Sequence, residues 1–118
     1  MHKIIFYQKS NGDTPVLDYL RTLQAEGSKD SRIKLNKISQ YIKVLELKGT
    51  AAGKPFIDHL RGDIWELRPL RDRVLFGAEA DGEFLLLHFF LKQSQKTPVR
   101  EIEQAEREWK DYQERGAE

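Results

Sequence analysis

The residue types suited to chemistry on an anion crowd into the second half of the chain. Lys54, Arg61, Arg68, Arg71 and Arg73 are interleaved with Asp58, Asp63, Glu66 and Asp72, and Lys92, Lys96 and Arg100 follow with no acid among them. A guanidinium presents a planar fork of N–H donors that matches the oxygens of a phosphate or a carboxylate, so closely set arginines point to a bound anion or to an ion-paired acid. His59 and His88 add imidazoles, the side chain whose unperturbed titration lies near neutrality, and each is a candidate for moving a proton. The chain has no cysteine, which excludes a thiol nucleophile, a thiolate metal site and disulfides. The histidines lack ligand spacing and no carboxylate cluster accompanies them, so no metal is expected.

These residues need a scaffold, and 118 residues with 39% hydrophobic and 33% charged content suit one domain spanning 1–118 with a single core. The formal charge is only +1, from 20 basic and 19 acidic residues, which by itself does not advertise a nucleic-acid partner. The distribution is more informative: a local basic patch is followed by a predominantly acidic stretch from Glu101 to Glu118. The longest apolar run, Phe84 to Leu91, has the length of a strand and contains His88. The first residues carry no long apolar core. No membrane span and no secretory signal are therefore expected, and the cytoplasm is the expected location.

Periodicity supplies the elements. Lys3 to Gln8 is β-branched and aromatic and predicts an opening strand. Thr14-Pro15 predicts a helix start, with threonine as N-cap and proline at the first position; Val16, Leu17, Leu20 and Leu23 form its stripe and Gly27 ends it. A second helix is expected from about Asp30 to Lys48, on Ile38, Tyr41, Ile42 and Leu45, with Gly49 as its stop. A loop around Thr50 to Pro55 leads to three expected strands, Ile64 to Arg68, Arg73 to Ala80 and Glu83 to Lys92. Asp81-Gly82 signals a tight hairpin between the last two. Thr97-Pro98 opens a final helix with Ile102, Ala105, Trp109 and Tyr112 as its stripe. The order predicts a small α+β domain with helices laid on an antiparallel sheet.

Strand register then places the charged residues. If Pro69 to Asp72 is a loop, Arg68 lies opposite Arg73. If Asp81-Gly82 is a two-residue turn, Ala80 pairs with Glu83, Leu75 faces His88, Arg73 faces Phe90 and Arg71 faces Lys92. Arg68, Arg73, His88, Phe90 and Lys92 would then share one face, and a one-residue slip in either hairpin would scatter them. Two opposed arginines repel by about 0.2–1 kcal/mol. An anion between them or an intervening carboxylate, Glu66 or Glu79, relieves that repulsion, and both readings stay open.

The runs HLRGDIWELR, DRVLFGAE and LLHFFLKQSQKTP, with EIEQAEREW after them, resemble the phage-derived branch of the HigB toxins in the RelE/ParE superfamily. The resemblance covers nearly the whole chain, and its most specific pieces are Trp65 to Arg68, Arg73, and His88 to Pro98. It implies a RelE-like fold, a small antiparallel sheet with two N-terminal helices and a C-terminal helix packed on it. It also implies the toxin of a type II toxin–antitoxin system, an endoribonuclease acting on mRNA on the ribosome. The 2′-hydroxyl of the RNA attacks its neighbouring phosphate without metal or cofactor, and the partner is a cognate antitoxin, expected to be a small helix-turn-helix protein. Carried over position by position, Arg68 and Arg73 match the arginines that stabilise developing charge and Lys92 the lysine closing the last strand. Lys54, Arg61, Arg71, Phe90 and Lys96 are expected to contact RNA or ribosome. His88 is the favoured proton-transfer group and His59 the other candidate. Relatives often carry lysine where Gln93 stands and tyrosine where the nearest aromatic here is Phe90, which stacks on a base but transfers no proton.

Blander roles are weighed beside these. His88 in an apolar strand suits a buried histidine satisfied by a neighbour, and Trp65, Trp109 and Tyr112 suit packing, with Trp109 also able to anchor a partner. A gyrase-targeting toxin like the ParE members, or a catalytically inactive antitoxin-binding module, would share the same fold.

Overall fold

The computed structural model describes residues 1–116. Strand β1 (Ile4–Phe6) leads to helices α1 (Pro15–Glu26) and α2 (Lys29–Lys48) and a short 3₁₀ turn at Gly49–Ala52. Strands β2 (Ile57–Arg61), β3 (Ile64–Leu67), β4 (Asp72–Ala78) and β5 (Phe84–Leu91) follow, and helix α3 (Val99–Arg115) closes the chain. The sheet order is β1-β5-β4-β3-β2. The α+β class and the helix-sheet-helix order hold, but the sheet is mixed rather than wholly antiparallel, because β1 runs parallel to β5. Two helices lie between β1 and β2, long enough to return the chain to the other edge of the sheet. Among the described residues no helix is long and apolar enough to cross a membrane.

Both faces of the sheet are covered. Val16 and Leu45 of α1 and α2 meet Ile57, Leu67, Val74, Phe76, Phe84 and Leu86 on one side. On the other, Ala105 of α3 joins Tyr7, Ile64, Leu75, Leu85 and Leu87, with Trp109 and Tyr112 packed against them. A strand buried on both faces loses its polar alternation, which is why the β5 sequence reads FLLLHFFL.

Strand β2 is not among the expected strands. It is an edge strand whose Asp58, His59 and Arg61 interrupt the apolar pattern, and charge on an exposed edge discourages pairing with other chains. Thr14 is the N-cap of α1 with Pro15 at the first position, as expected, although its capping contact is unusual, whereas Thr97 does not cap α3. Thr14 does not accept from the first turn of α1; its backbone N–H and its hydroxyl both donate to the Asp18 carboxylate, each at 3.0 Å. Helix α3 starts after Pro98, and Thr97 instead donates its hydroxyl to Glu66 on β3.

The β4–β5 hairpin holds the register result by an unexpected route. Its tip is not the expected two-residue turn: Ala78 pairs with Phe84 and the Glu79 N–H donates to the Glu83 carbonyl at 2.9 Å, leaving Ala80 to Gly82 as the loop. Gly82 takes φ +89°, a conformation that glycine adopts without steric cost. That loop alone would shift every later pair by one residue. A bulge then gives Leu75 and Phe76 the partners His88 and Leu86, so that Leu87 is the extra residue. Beyond it Leu75 faces His88 and Arg73 faces Phe90, as expected, and the Lys92 N–H donates to the Arg71 carbonyl at 2.8 Å.

Helix α3 is fastened to the sheet by packing and by polar contacts. Trp109 lies against Gly77, where an added Cβ would stand 2.1 Å from the indole. Tyr7 donates to Asp111 at 2.6 Å; burial first, then that carboxylate, push the phenol up to about 12. His88 sits between two α3 acids, with Nδ1 2.6 Å from Glu108 and Nε2 3.0 Å from Glu101. Two carboxylates on two ring nitrogens require either an imidazolium or one protonated glutamate, since a neutral imidazole has one N–H.

Three outcomes follow from this docking. Gly77→Ala is expected to lower stability by about 1–3 kcal/mol in a urea melt, because the indole must move out of a filled site. His88→Ala, which leaves two largely buried acids facing each other, is expected to cost about 3 kcal/mol or more in the same assay. The Tyr7 phenol has a raised folded value, so its stabilising contribution is complete below its ordinary value near 10 and is lost as pH rises toward about 12. Tyr7→Phe is expected to flatten that alkaline decline in melts recorded across the window.

Candidate functional site

The site lies at the end of the sheet opposite the Ala80–Gly82 tip, on the α3 face. Leu67 pairs with Val74, and continuing that register by one residue sets Arg68 across from Arg73. Arg73 is buried, with 6% exposure. Its Nη1 donates to the carbonyls of Leu70 at 2.9 Å and Asp72 at 2.8 Å, so part of its fork is committed to the turn before β4. Burial lowers its pKa from the ordinary arginine value, and the charge of Arg68 acts in the same direction while Glu66 opposes both. A guanidinium stays protonated through such a shift.

Arg68 is half-buried. Its Nε lies 3.7 Å from Glu66 Oε2, close enough for ionic attraction but too long for a hydrogen bond, and among the described residues that buried N–H has no hydrogen-bond partner. Glu66, itself buried, is the intervening carboxylate, held by the Thr97 hydroxyl. Glu79, the other candidate for that place, is bonded to Gln113 instead.

The turn from Pro69 to Asp72 is held firmly. Leu70 adopts φ +56°, which costs a residue with a side chain of its size of the order of 1–3 kcal/mol. Asp72, 2% exposed, opposes that strain by pointing to the other face. There it accepts from the Tyr19 hydroxyl at 2.8 Å and lies 3.6 Å from the Lys34 ammonium. Tyr19 in turn stacks on Phe89 at 3.9 Å between ring centres. Burial raises the phenol's pKa, and hydrogen bonding to Tyr19 raises that of Lys34.

Two clefts open beside the arginines. The larger, about 480 Å³, is lined by Arg71, Arg73 and Lys92, with Leu70, Gln93, Ser94 and Gln95 completing its wall. It contains cations and no acid. The smaller, about 270 Å³, is lined by Asp58, Glu66, Arg68, Lys96 and Thr97, with Leu60, Gln95 and Ile102. Gln95 borders both, so the Lys92–Pro98 segment is the partition between them.

The structure therefore brings together Arg68, Arg71, Arg73, Lys92 and Lys96, and Phe90 lies half-buried opposite Arg73. It does not bring the histidines in. His88 lines neither cleft, and both its nitrogens are engaged by α3. His59 is exposed, its Nε2 2.7 Å from the Gly62 carbonyl and its ring against Trp65. Arg61 is bound to Glu106 of α3 through Nε and Nη2, and Lys54 is exposed in the loop before β2; neither lines these clefts. Sequence reasoning missed Asp58 and the tether through Thr97. A recognised β2 would have placed Asp58 directly across from Glu66, its register partner.

Chemically, the larger cleft can hold a polyanion, while the smaller sets carboxylates beside cations. No curated protein matches the chain. The family model described as phage derived protein Gp49-like matches residues 18–110, most of the chain and all of the site. The chain belongs to this phage-derived, Gp49-like family of toxin-like proteins, part of the RelE/ParE-like superfamily of toxin–antitoxin toxins.

Proposed function

We propose that the chain is the toxin of a type II toxin–antitoxin pair, of the HigB-like kind, and that it cleaves mRNA on the ribosome. The observation that carries this reading is the cationic end of the sheet, where Arg68 and Arg73 stand opposed beside an open cleft lined with Arg71 and Lys92. Arg68 adds to it, because it borders the second cleft and no described residue accepts a hydrogen bond from its buried Nε–H, so its fork is not committed elsewhere through that atom.

In the proposed reaction the RNA phosphate lies across the two clefts. Arg68 and Arg73 stabilise the charge that develops on the phosphorane as the 2′-oxygen attacks, and Lys92 with Arg71 neutralises the flanking backbone. Phe90 offers a surface for a base, and Lys96 meets messenger or ribosomal RNA. Lys54 and Arg61 lie farther out and would touch only the ribosome. His88 acts indirectly, by holding α3 and through it the Thr97–Glu66 contact. The site has few groups for proton transfer, so its rate depends on the ribosome orienting the substrate. The partner is a cognate antitoxin, and the working location is the cytoplasm.

Expression of the chain alone in a bacterial host, with growth followed and RNA 5′ ends mapped, tests the reading. Growth arrest with new cuts confined to translated regions is the expected result. Arg68→Ala with Arg73→Ala is expected to reduce cutting by about 10²-fold or more while the chain stays folded and binds its antitoxin. Arrest without cuts would redirect the reading to gyrase, and absence of arrest by folded protein would make the chain an inactive binding module.

A further inference from the structure

The clefts contain a second kind of group that the arginines do not explain. Among the titratable residues lining them, all are arginine or lysine except Asp58 and Glu66. These two are cross-strand partners on β2 and β3, which puts both on the α3 face. They differ in what they are free to do. Glu66 is 4% exposed, accepts from Thr97 and lies beside Arg68. Asp58 is half-buried, and no described residue donates a hydrogen bond to its carboxylate or pairs with it. It lines the smaller cleft together with Arg68 and Lys96.

The histidines are not available at the clefts: both nitrogens of His88 are held by Glu101 and Glu108, and His59, whose Nε2 meets the Gly62 carbonyl, lines neither cleft. Tyr7 donates to Asp111, and Tyr19 to Asp72 on the opposite face. A general base needs an unoccupied lone pair within reach of the proton that it takes.

We propose that Asp58 is the general base for RNA cleavage, with Glu66 a positioning residue that aims Arg68; this inference rests on the ribonuclease reading. The Asp58 carboxylate takes the proton of the 2′-hydroxyl. The 2′-oxygen forms its bond to phosphorus, and the P–O5′ bond breaks with its electron pair on the 5′ oxygen. That oxygen takes a proton from water in the open cleft, and the hydroxide left behind returns Asp58 to its carboxylate. The products are a 2′,3′-cyclic phosphate and a 5′-hydroxyl end.

The test is single-turnover cleavage on ribosomes programmed with a defined mRNA, comparing the unaltered chain, Asp58→Asn and Asp58→Glu. Folding is followed by thermal melt and ribosome binding by sedimentation. Asp58→Asn is expected to cut about 10²–10⁴-fold more slowly while folding and binding are retained, and Asp58→Glu to recover most of the loss. Should the amide not fold, Asp58→Ser removes the carboxylate with less bulk and carries the same expectation. An unaltered chain that cuts while Asp58→Asn cuts within threefold of it overturns the assignment and leaves the ribonuclease reading standing. An unaltered chain that binds but never cuts overturns both.

Discussion

Strands β4 and β5 pair over seven residue positions and are covered from both sides, by α1 and α2 on one face and by α3 on the other. Nothing else in the domain can be placed until that pair is in register, because a side chain on either strand has only two faces to choose from. A slip of one strand by one residue would turn its inward set, Leu75 with Arg73 on β4 or Leu85 on β5, from the α3 core toward the other helices. The buried apolar surface on both faces penalises that slip, which gives the arginine its fixed orientation. The bulge at Leu87 belongs to the same constraint. It reconciles a three-residue hairpin loop with an apolar pattern that needs Arg73 and His88 on the α3 side.

Polar groups then refine what the core has placed. The Asp72 cluster fixes one side of the Pro69–Asp72 turn, and Arg73 ties the other through the Leu70 carbonyl. The result is a rigid rim carrying Arg68, Arg71 and Arg73 at the end of the sheet. Helix α3 reaches this rim through Thr97 and Glu66, and reaches the middle of β5 through His88. The two arginines therefore stand opposed with a carboxylate beside them. The phosphate and ion-pair readings of the opposition are compatible: Glu66 lessens the repulsion in the free protein without satisfying the buried Arg68 Nε–H.

Charge is segregated along the sheet as well. The cations gather where β3, β4 and β5 meet the Lys92–Pro98 segment, while Asp63 and Glu79 line a cleft near the hairpin tip. A net charge of +1 conceals a molecule with two unlike ends, which is the distribution suited to guiding a polyanion to one of them.

By itself the sequence determined the helices, four of the five strands and the placing of Arg68 and Arg73 on one common face of the sheet. Those depend on local periodicity, on Gly27 and Gly49 as stops, and on short connections whose length sets register. Strand β2 was not legible, because an edge strand needs only one apolar face and its charges read as loop. The partners of His88, Thr97 and Asp58 were not legible either, although the apolar strand around His88 already pointed to a buried histidine satisfied by a neighbour. Each partner is a residue far away in the chain, Glu101 and Glu108 for His88, Glu66 for Thr97 and Asp58, and local pattern carries no information about such partners. Only the packing of α3 on the sheet decided that His88 would face two acids. Only the pairing of the edge strand decided that an aspartate would stand open beside Arg68.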